Sequence, residues 1–356
     1  MKLDGATAGE PAKAAIGRTP DDKVMLRAAA ELPRELLVAK GAVYWPDFLA
    51  STLIGYGGLA VAILSHSTLL ALAGAFVAAL ALFRAASFIH ELTHIRAGAL
   101  PGFRFAWNAL IGIPLLLPSF MYEEVHTHHH ARTRYGTIED PEYLPLALMK
   151  PWSLPLFILA ALLAPVALLI RFAVIAPLGL IIPPLRRYIV SALSGLAINA
   201  SYRRRPPEGA FRRMWIVQET AASLWAMGIL TASALYGWRP LLIGMAVFSG
   251  VAVVNQLRTL VAHLWENEGE PMTVTGQFLD SVNVPPPGFV AELWAPVGLR
   301  YHALHHLLPS MPYHSYGEAH RRLVAAVGFE STYHHANHPG LIVLVMRIAR
   351  STMVRR

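Results

Sequence analysis

The 356-residue chain is 55% hydrophobic and only 15% charged, with a mean hydropathy of +0.44, a composition that excludes an ordinary soluble protein and predicts several membrane spans. It has no cysteine, which removes disulfides, iron-sulfur clusters, thiolate haem and a cysteine nucleophile together, so a bound metal must be held by nitrogen and oxygen. The formal charge of +8 is of the kind that cytoplasmic loops and anionic lipid headgroups account for, and no nucleic-acid partner is expected.

Residues 1–46 mix acidic and basic side chains and lack the basic, apolar, small-residue order of a cleavable signal, so they read as a cytoplasmic N-terminal segment. Two apolar runs follow, 47–65 and 68–89, each long enough to cross a hydrocarbon core that needs about 20 helical residues. They predict a hairpin that turns at Ser65, His66 and Ser67. His90 and His94 follow at once, and His126, His129 and His130 come after a loop. The apolar region 151–184 carries Arg171 in its middle and Pro165, Pro177, Pro183 and Pro184 along it, which predicts an interfacial or re-entrant helical pair rather than a straight span. A helix along the membrane surface is expected over 185–199. The runs 214–236 and 241–262 predict a second hairpin, turning at Gly237, Trp238, Arg239 and Pro240. His302, His305 and His306 lie beyond it. The expected fold is an all-α integral membrane protein: four transmembrane helices in two hairpins, interfacial helices, and a cytoplasmic histidine-rich cap. The membrane domain is expected over 47–322 and a cytoplasmic C-terminal tail over 323–356.

Orientation follows from lysine and arginine. Seven precede the first span (Lys2, Lys13, Arg18, Lys23, Arg27, Arg34 and Lys40), none lies in the first hairpin turn, and only Arg239 lies in the second. Arg186, Arg187, Arg203, Arg204, Arg205, Arg212 and Arg213 crowd the stretch between them. The positive-inside rule then puts both termini, the middle region and all three histidine clusters in the cytoplasm.

Half of the 16 histidines fall into three clusters, HxxxH, HxxHH and HxxHH. Side chains three or four apart share a helix face, so each cluster presents imidazoles to a common point, and polar groups beside a bilayer need a partner or a task. A metal centre is expected. The first cluster, His90-Glu91-Leu92-Thr93-His94, also fits the HExxH pattern of zinc proteases. Eight clustered imidazoles overfill one tetrahedral zinc, however, and suit two iron ions.

The three boxes, two after a first hairpin and one after a second, resemble the membrane fatty acid desaturase and lipid hydroxylase superfamily. The stretch Gly298-Leu299-Arg300-Tyr301-His302-Ala303-Leu304-His305-His306-Leu307-Leu308-Pro309 is particularly similar to bacterial acyl desaturases. The resemblance implies a centre of two iron ions held by His90, His94, His126, His129, His130, His302, His305 and His306. It adds His263, just after the fourth predicted span, as a ninth ligand. Where some relatives carry an asparagine one turn earlier, this chain has Thr259.

The implied activity is an O2-dependent oxidoreductase of the bacterial inner membrane that introduces a double bond into an acyl lipid or acyl-CoA. A di-iron lipid hydroxylase or carotenoid ketolase is the alternative within the family, and a histidine-rich metal transporter the alternative outside it. Because the chain has no flavin, NAD or iron-sulfur signature, electrons are expected from a ferredoxin-like or cytochrome b5-like donor.

Other polar groups carry weaker expectations. His128 points off its box's shared face and reads as a supporting or solvent-facing ring, and His66 reads as structural. His314 and His320 lie beside the third box, and His334, His335 and His338 are expected to be solvated. Glu91, Glu266 and the Glu139-Asp140 pair are candidates to orient ligand N–H groups. Arg84 is expected to pair with an acid or to snorkel. Gln218 and Glu219 face the protein interior with no assigned task.

Overall fold

The computed structural model describes residues 16–287 and 290–354; Lys2, Lys13, the start of the predicted N-terminal segment and the last two residues of the predicted tail lie outside the described residues. The chain is helical, with no strand among the described residues and only isolated bridges joining His263 to Ser281 and Asn283 to both Tyr301 and Asn337.

Asp22 caps α1 (Lys23–Ala30) by accepting from the backbone of Val24 and Met25. Its second carboxylate oxygen accepts from Ser331 Oγ at 2.9 Å and from the Thr332 backbone and hydroxyl, tying the two ends of the described chain together. The first hairpin consists of α2 (Gly41–Leu64) and α3 (Thr68–His94). They approach closely because glycine faces glycine: a Cβ on Gly58 would sit 2.8 Å from the Gly74 carbonyl oxygen, and one on Gly74 would sit 2.7 Å from that of Gly58. Small residues of this kind let backbones pack where lipid offers no hydrophobic drive. At 27 residues α3 is about 40 Å long, more than the roughly 30 Å of hydrocarbon, so its last turns carry His90 and His94 past the core.

The chain then forms α4 (Phe103–Trp107) and α5 (Val125–His129), followed by α6 (Ser153–Ile170), a π turn over Arg171–Ile175, and α7 (Ala176–Ile181). This corrects the reading of 151–184 as an interrupted pair. The helix runs through Pro165 and Pro177, and only at Ile182 does extended backbone break it. Pro177 lies at the first turn of α7, where its missing N–H costs little. Helix α8 (Pro183–Ala192) folds back on α7 so tightly that a Cβ on Gly179 would meet Ile189 Cδ1 at 2.5 Å.

The second predicted hairpin is α9 (Gly209–Tyr236) and α10 (Arg239–Leu260). Among the described residues four helical stretches are long and apolar enough to cross a membrane: Arg34–Leu64, Thr68–His94, Ser153–Ile181 and Arg239–Leu260. The expected number holds, but Ser153–Ile181 stands where α9 was expected. Gln218 and Glu219 lower the apolarity of α9, and both are buried against protein. Gln218 Oε1 accepts from the Phe120 backbone N–H at 3.0 Å. Glu219 pairs at 2.6 Å with Arg171 and, through its other oxygen, with Arg186, one from each arm of the α7–α8 turn.

Helix α6 lies antiparallel to α10, with Ser249 Oγ donating to the Leu162 carbonyl and Gln256 Nε2 to that of Phe157. Arg84 makes a two-point pair with Asp47 at 2.7 Å, and Tyr313 OH donates to the same carboxylate. The remaining elements form the cap: α11 (Val274–Asp280), α12 (Ala291–Trp294), α13 (His302–Leu307), α14 (Tyr316–Ala326) and α15 (Leu341–Ala349).

His334, His335 and His338 were expected to be solvated, and for His334 and His338 this too is corrected. The Asn283 backbone N–H donates to Ala336 and that of His338 to Asn283, so the segment is stitched to the cap. His334 and His338 are half-buried, and His335 alone of the three is exposed.

Candidate metal centre

The nine histidines divide into two sets. Ligand nitrogens of His90, His94, His126, His130 and His305 lie within 4.8 Å of one another, and those of His129, His263, His302 and His306 do the same. The sets touch: the His130 and His306 rings are stacked with centroids 4.4 Å apart.

The two HxxHH boxes do not each serve one point, as expected from their spacing. Helix α5 sends His126 and His130 to the first set and His129 to the second, while α13 sends His305 to the first and His302 and His306 to the second. Neighbouring residues on a helix differ by about 100° in direction, so the paired histidines of each box diverge and each short helix bridges both sets.

Helix α3 supplies its two rings rigidly from its last turns. Helix α13 is set by the turn before it, where Gly298 has φ +72° and a Cβ would lie 2.8 Å from Tyr316 and 2.9 Å from Tyr313. Only glycine fits both constraints. His263 follows α10 and is held by its bridge to Ser281.

The ring orientations suit a metal. His130 Nε2 lies 3.0 Å from His126 Nε2 and 2.8 Å from His305 Nε2, and His302 Nε2 lies 3.0 Å from His263 Nε2. With the ring proton on Nδ1, such contacts bring Nε2 lone pairs together unless a cation lies among them. His90 Nε2 and His94 Nε2 are buried with no protein partner at all, the kind of orphaned acceptor a metal would satisfy.

On four rings the outward Nδ1 is engaged instead, whereas those of His90, His302 and His306 are buried without a hydrogen bond. His129 Nδ1 meets Asp140 at 2.9 Å, His126 Nδ1 meets Glu142 at 3.0 Å and Tyr122 OH at 2.9 Å, His263 Nδ1 meets Tyr135 OH at 2.8 Å, and His305 Nδ1 meets Tyr316 OH at 2.8 Å. Tyr135 OH in turn donates to Asp280 Oδ2 at 2.8 Å. Partners on Nδ1 turn the Nε2 lone pair inward and set the ring angle.

Burial reinforces this chemistry. It holds His126, His130, His263, His302, His305 and His306 well below the ordinary imidazole range, neutral and able to donate a lone pair. Burial also opposes charge on His129, but the Asp140 carboxylate outweighs it and raises that ring. The same burial pushes Glu142 up to about 7 and Asp280 up to about 6.

Of the acids singled out in the sequence, Asp140 reaches a ring. Glu139 pairs with Arg134 at the surface, and Glu266 faces Arg347. Glu91 is taken up by Tyr44 OH and the Tyr313 backbone, with an oxygen 3.7 Å from His90 Nδ1. Glu142, Asp280, Tyr122, Tyr135 and Tyr316 escaped sequence reasoning. Glu142 had one available signal, its place two residues after Asp140. His128 turns away to Tyr202 OH at 3.0 Å, His320 to Tyr333 OH at 2.8 Å, and His314 accepts from the Lys40 backbone. His66 is exposed.

Asp140→Asn is expected to weaken metal retention by roughly ten- to a hundredfold, because it removes the charge behind His129 while keeping its shape. Chelator competition on the purified protein measures this; wild-type retention would free Asp140 of that role.

Beside the first set opens a cavity of about 650 Å³. Its wall includes His90, Tyr122 and Glu142, then Phe83 and Trp107, the α6 residues Leu156, Phe157 and Ala161, and the α10 residues Val251, Asn255, Arg258 and Thr259. A long apolar chain fits such a wall, with its reacting carbons presented to the metal set.

Comparison with known proteins agrees with this geometry. The fatty acid desaturase family model matches residues 66–337. A ceramide hydroxylase of Caulobacter vibrioides (strain NA1000 / CB15N) is 48% identical over 328 residues, covering 92% of this chain and 93% of that protein.

Proposed function

The chain belongs to the fatty acid desaturase family, an O2-dependent oxidoreductase lineage, and from that premise we propose that it is a membrane di-iron hydroxylase acting on ceramide. The observation that carries the reading is the near full-length similarity to a protein named for that activity. Hydroxylation takes precedence over the desaturation expected from the boxes, since box spacing is common to both reactions.

In this reading His90, His94, His126, His130 and His305 hold one iron and His129, His263, His302 and His306 the other. The bound pair supplies the activation of O2 needed to oxidise an unactivated C–H bond. One oxygen atom of O2 enters the lipid as a hydroxyl and the other leaves as water, with two electrons and two protons consumed. Those electrons come from an external ferredoxin-like or cytochrome b5-like donor.

The protein's own groups do the rest. Asp140, Glu142, Tyr135 and Tyr316 hold the rings in register. The apolar wall built from α3, α6 and α10 orients the chain and excludes water from the reacting carbon. The lysine and arginine bias supports an orientation with the termini and the centre in the cytoplasm, and the similarity to a Caulobacter protein supports a bacterial inner membrane.

Turnover of ceramide under labelled O2 tests the proposal. The expected product gains one labelled oxygen at a hydroxyl. A ceramide with a new double bond and no label would restore the desaturase reading, and an unmodified ceramide would overturn both.

A further inference from the structure

One charged group in the cavity wall has no partner fit for it. Arg258 lies near the end of α10, five residues before His263, and its Nε is buried without a hydrogen-bond acceptor. Its one hydrogen bond to a side chain is to Asn255 Oδ1, long at 3.5 Å and within the same helix. No carboxylate among the described residues lies within ion-pair reach of it. Glu142, which acts on it through space, is already engaged by His126 and Tyr122.

Arg258 is half-buried, and a guanidinium that loses part of its water without gaining a counter-charge is destabilised, more so beside a centre suited to cations. Burial and neighbouring rings hold His263 and His302 neutral, and the positive charge of Arg258 adds to that effect, so it is felt at the second set. The arginines buried in the body of the protein each keep a strong acceptor on their remaining nitrogens, although Arg171 Nη1, Arg204 Nε and Arg300 Nη2 are themselves buried without a partner. Arg171 meets Glu219, Arg204 meets the Phe120 and Ser194 carbonyls, and Arg300 meets the Val284 carbonyl.

Two neighbouring polar groups on the same wall are spent locally, while Ser153 Oγ is buried there without a partner. Ser87 Oγ donates to the Phe83 carbonyl and Gln256 Nε2 to that of Phe157. Among the described lining residues Arg258 is, apart from His90, the one basic side chain, and it brings a fork of donors with no strong acceptor to an otherwise mainly apolar pocket next to the histidines.

We infer that Arg258 receives the polar end of the lipid, its guanidinium donating to the amide carbonyl and an adjacent hydroxyl of an N-acyl lipid. This rests on the ceramide reading above. The consequence is a rule for position: the oxidised carbon lies a few bonds from the amide, and its place is counted from the polar end rather than from the methyl terminus. A fork of parallel N–H groups suits two oxygen acceptors at once, as an amide carbonyl and hydroxyl provide. A fatty carboxylate offers the same kind of acceptor and is the rival source.

The test uses the full-length iron-loaded protein in detergent, with Arg258→Ala and Arg258→Lys beside it. Binding of a radiolabelled long-chain ceramide, KM, kcat, hydroxyl position and iron content are measured for each, and a free fatty acid of equal chain length is run in parallel. Arg258→Ala is expected to weaken ceramide binding and raise KM by roughly ten- to a hundredfold at full iron occupancy, with hydroxyl positions scattered along the chain. Arg258→Lys, which keeps charge and loses the fork, is expected to fall between.

Unchanged binding and position in Arg258→Ala would overturn the inference, as would iron loss in step with activity, which would assign Arg258 to holding the centre together. Fatty acid binding affected as strongly as ceramide binding would overturn the amide as ligand. Wild-type protein that leaves ceramide unmodified would instead overturn the functional reading on which the inference rests.

Discussion

His305→Ala is expected to abolish lipid oxidation and to strip metal from the protein while leaving it in the membrane. His305 Nε2 lies 2.8 Å from His130 Nε2 within the first set, and its Nδ1 is braced by Tyr316 OH at 2.8 Å. The alanine removes one nitrogen of five and leaves the Tyr316 hydroxyl facing a buried hole. The loss should exceed the ten- to hundredfold typical of removing an outer partner such as Asp140. His94→Ala should behave alike, since its Nε2 is aimed into the same set and has no other partner. Membrane insertion should survive both changes, because the apolar stretches of α2, α3, α6 and α10 drive it. Iron content, turnover and membrane extraction measured together decide the matter: a variant with two irons and normal turnover would remove the altered residue from the ligand set.

Glu219→Ala is expected to cost about 3–5 kcal/mol of stability, the range for removing one member of a buried ion pair. Arg171 is only 4% exposed and pairs with Glu219 at 2.6 Å; without it the guanidinium retains Ser194 Oγ and the Leu193 carbonyl but no counter-charge. Arg186 loses its partner in the same step, so the α7–α8 turn comes loose from α9. The double change Glu219→Ala with Arg171→Met should recover part of the loss by removing the stranded charge. Unfolding followed in detergent measures both, and a single variant as stable as wild type would mean the network carries no net stability. Because Gln218 anchors the Phe120 segment shortly before α5, some weakening of metal retention should accompany the unfolding.

Much of the candidate metal centre was legible because its signal is local. Two or three histidines at helical spacing mark a face without reference to anything distant, and His90, His94, His126, His129, His130, His302, His305 and His306 all fall in such groups. His263 stands alone in its stretch, and only likeness to a family pointed to it. The acids divide on the same principle. Asp140 was legible as part of an acidic pair, whereas Asp280 and the tyrosines 135 and 316 reach their rings from separate elements and carry no mark in sequence.

Prolines misled the reading of 151–184. A proline weakens a helix locally, but a first-turn position and close packing against neighbours let α6 and α7 continue past Pro165 and Pro177. Gln218 and Glu219 posed the opposite problem. Their polarity was visible, while their partners, Phe120, Arg171 and Arg186, lie far along the chain.

The sequence by itself determined the all-α membrane class, the first hairpin and the histidine boxes, because hydrophobic length and helical spacing are properties of neighbouring residues. Tertiary structure alone decided how nine rings divide into five and four, which acids and hydroxyls turn them inward, and that Arg258 reaches the cavity without a carboxylate. Those outcomes depend on the angles and close approaches of elements far apart in the chain, where a single helix carries no record of its partners.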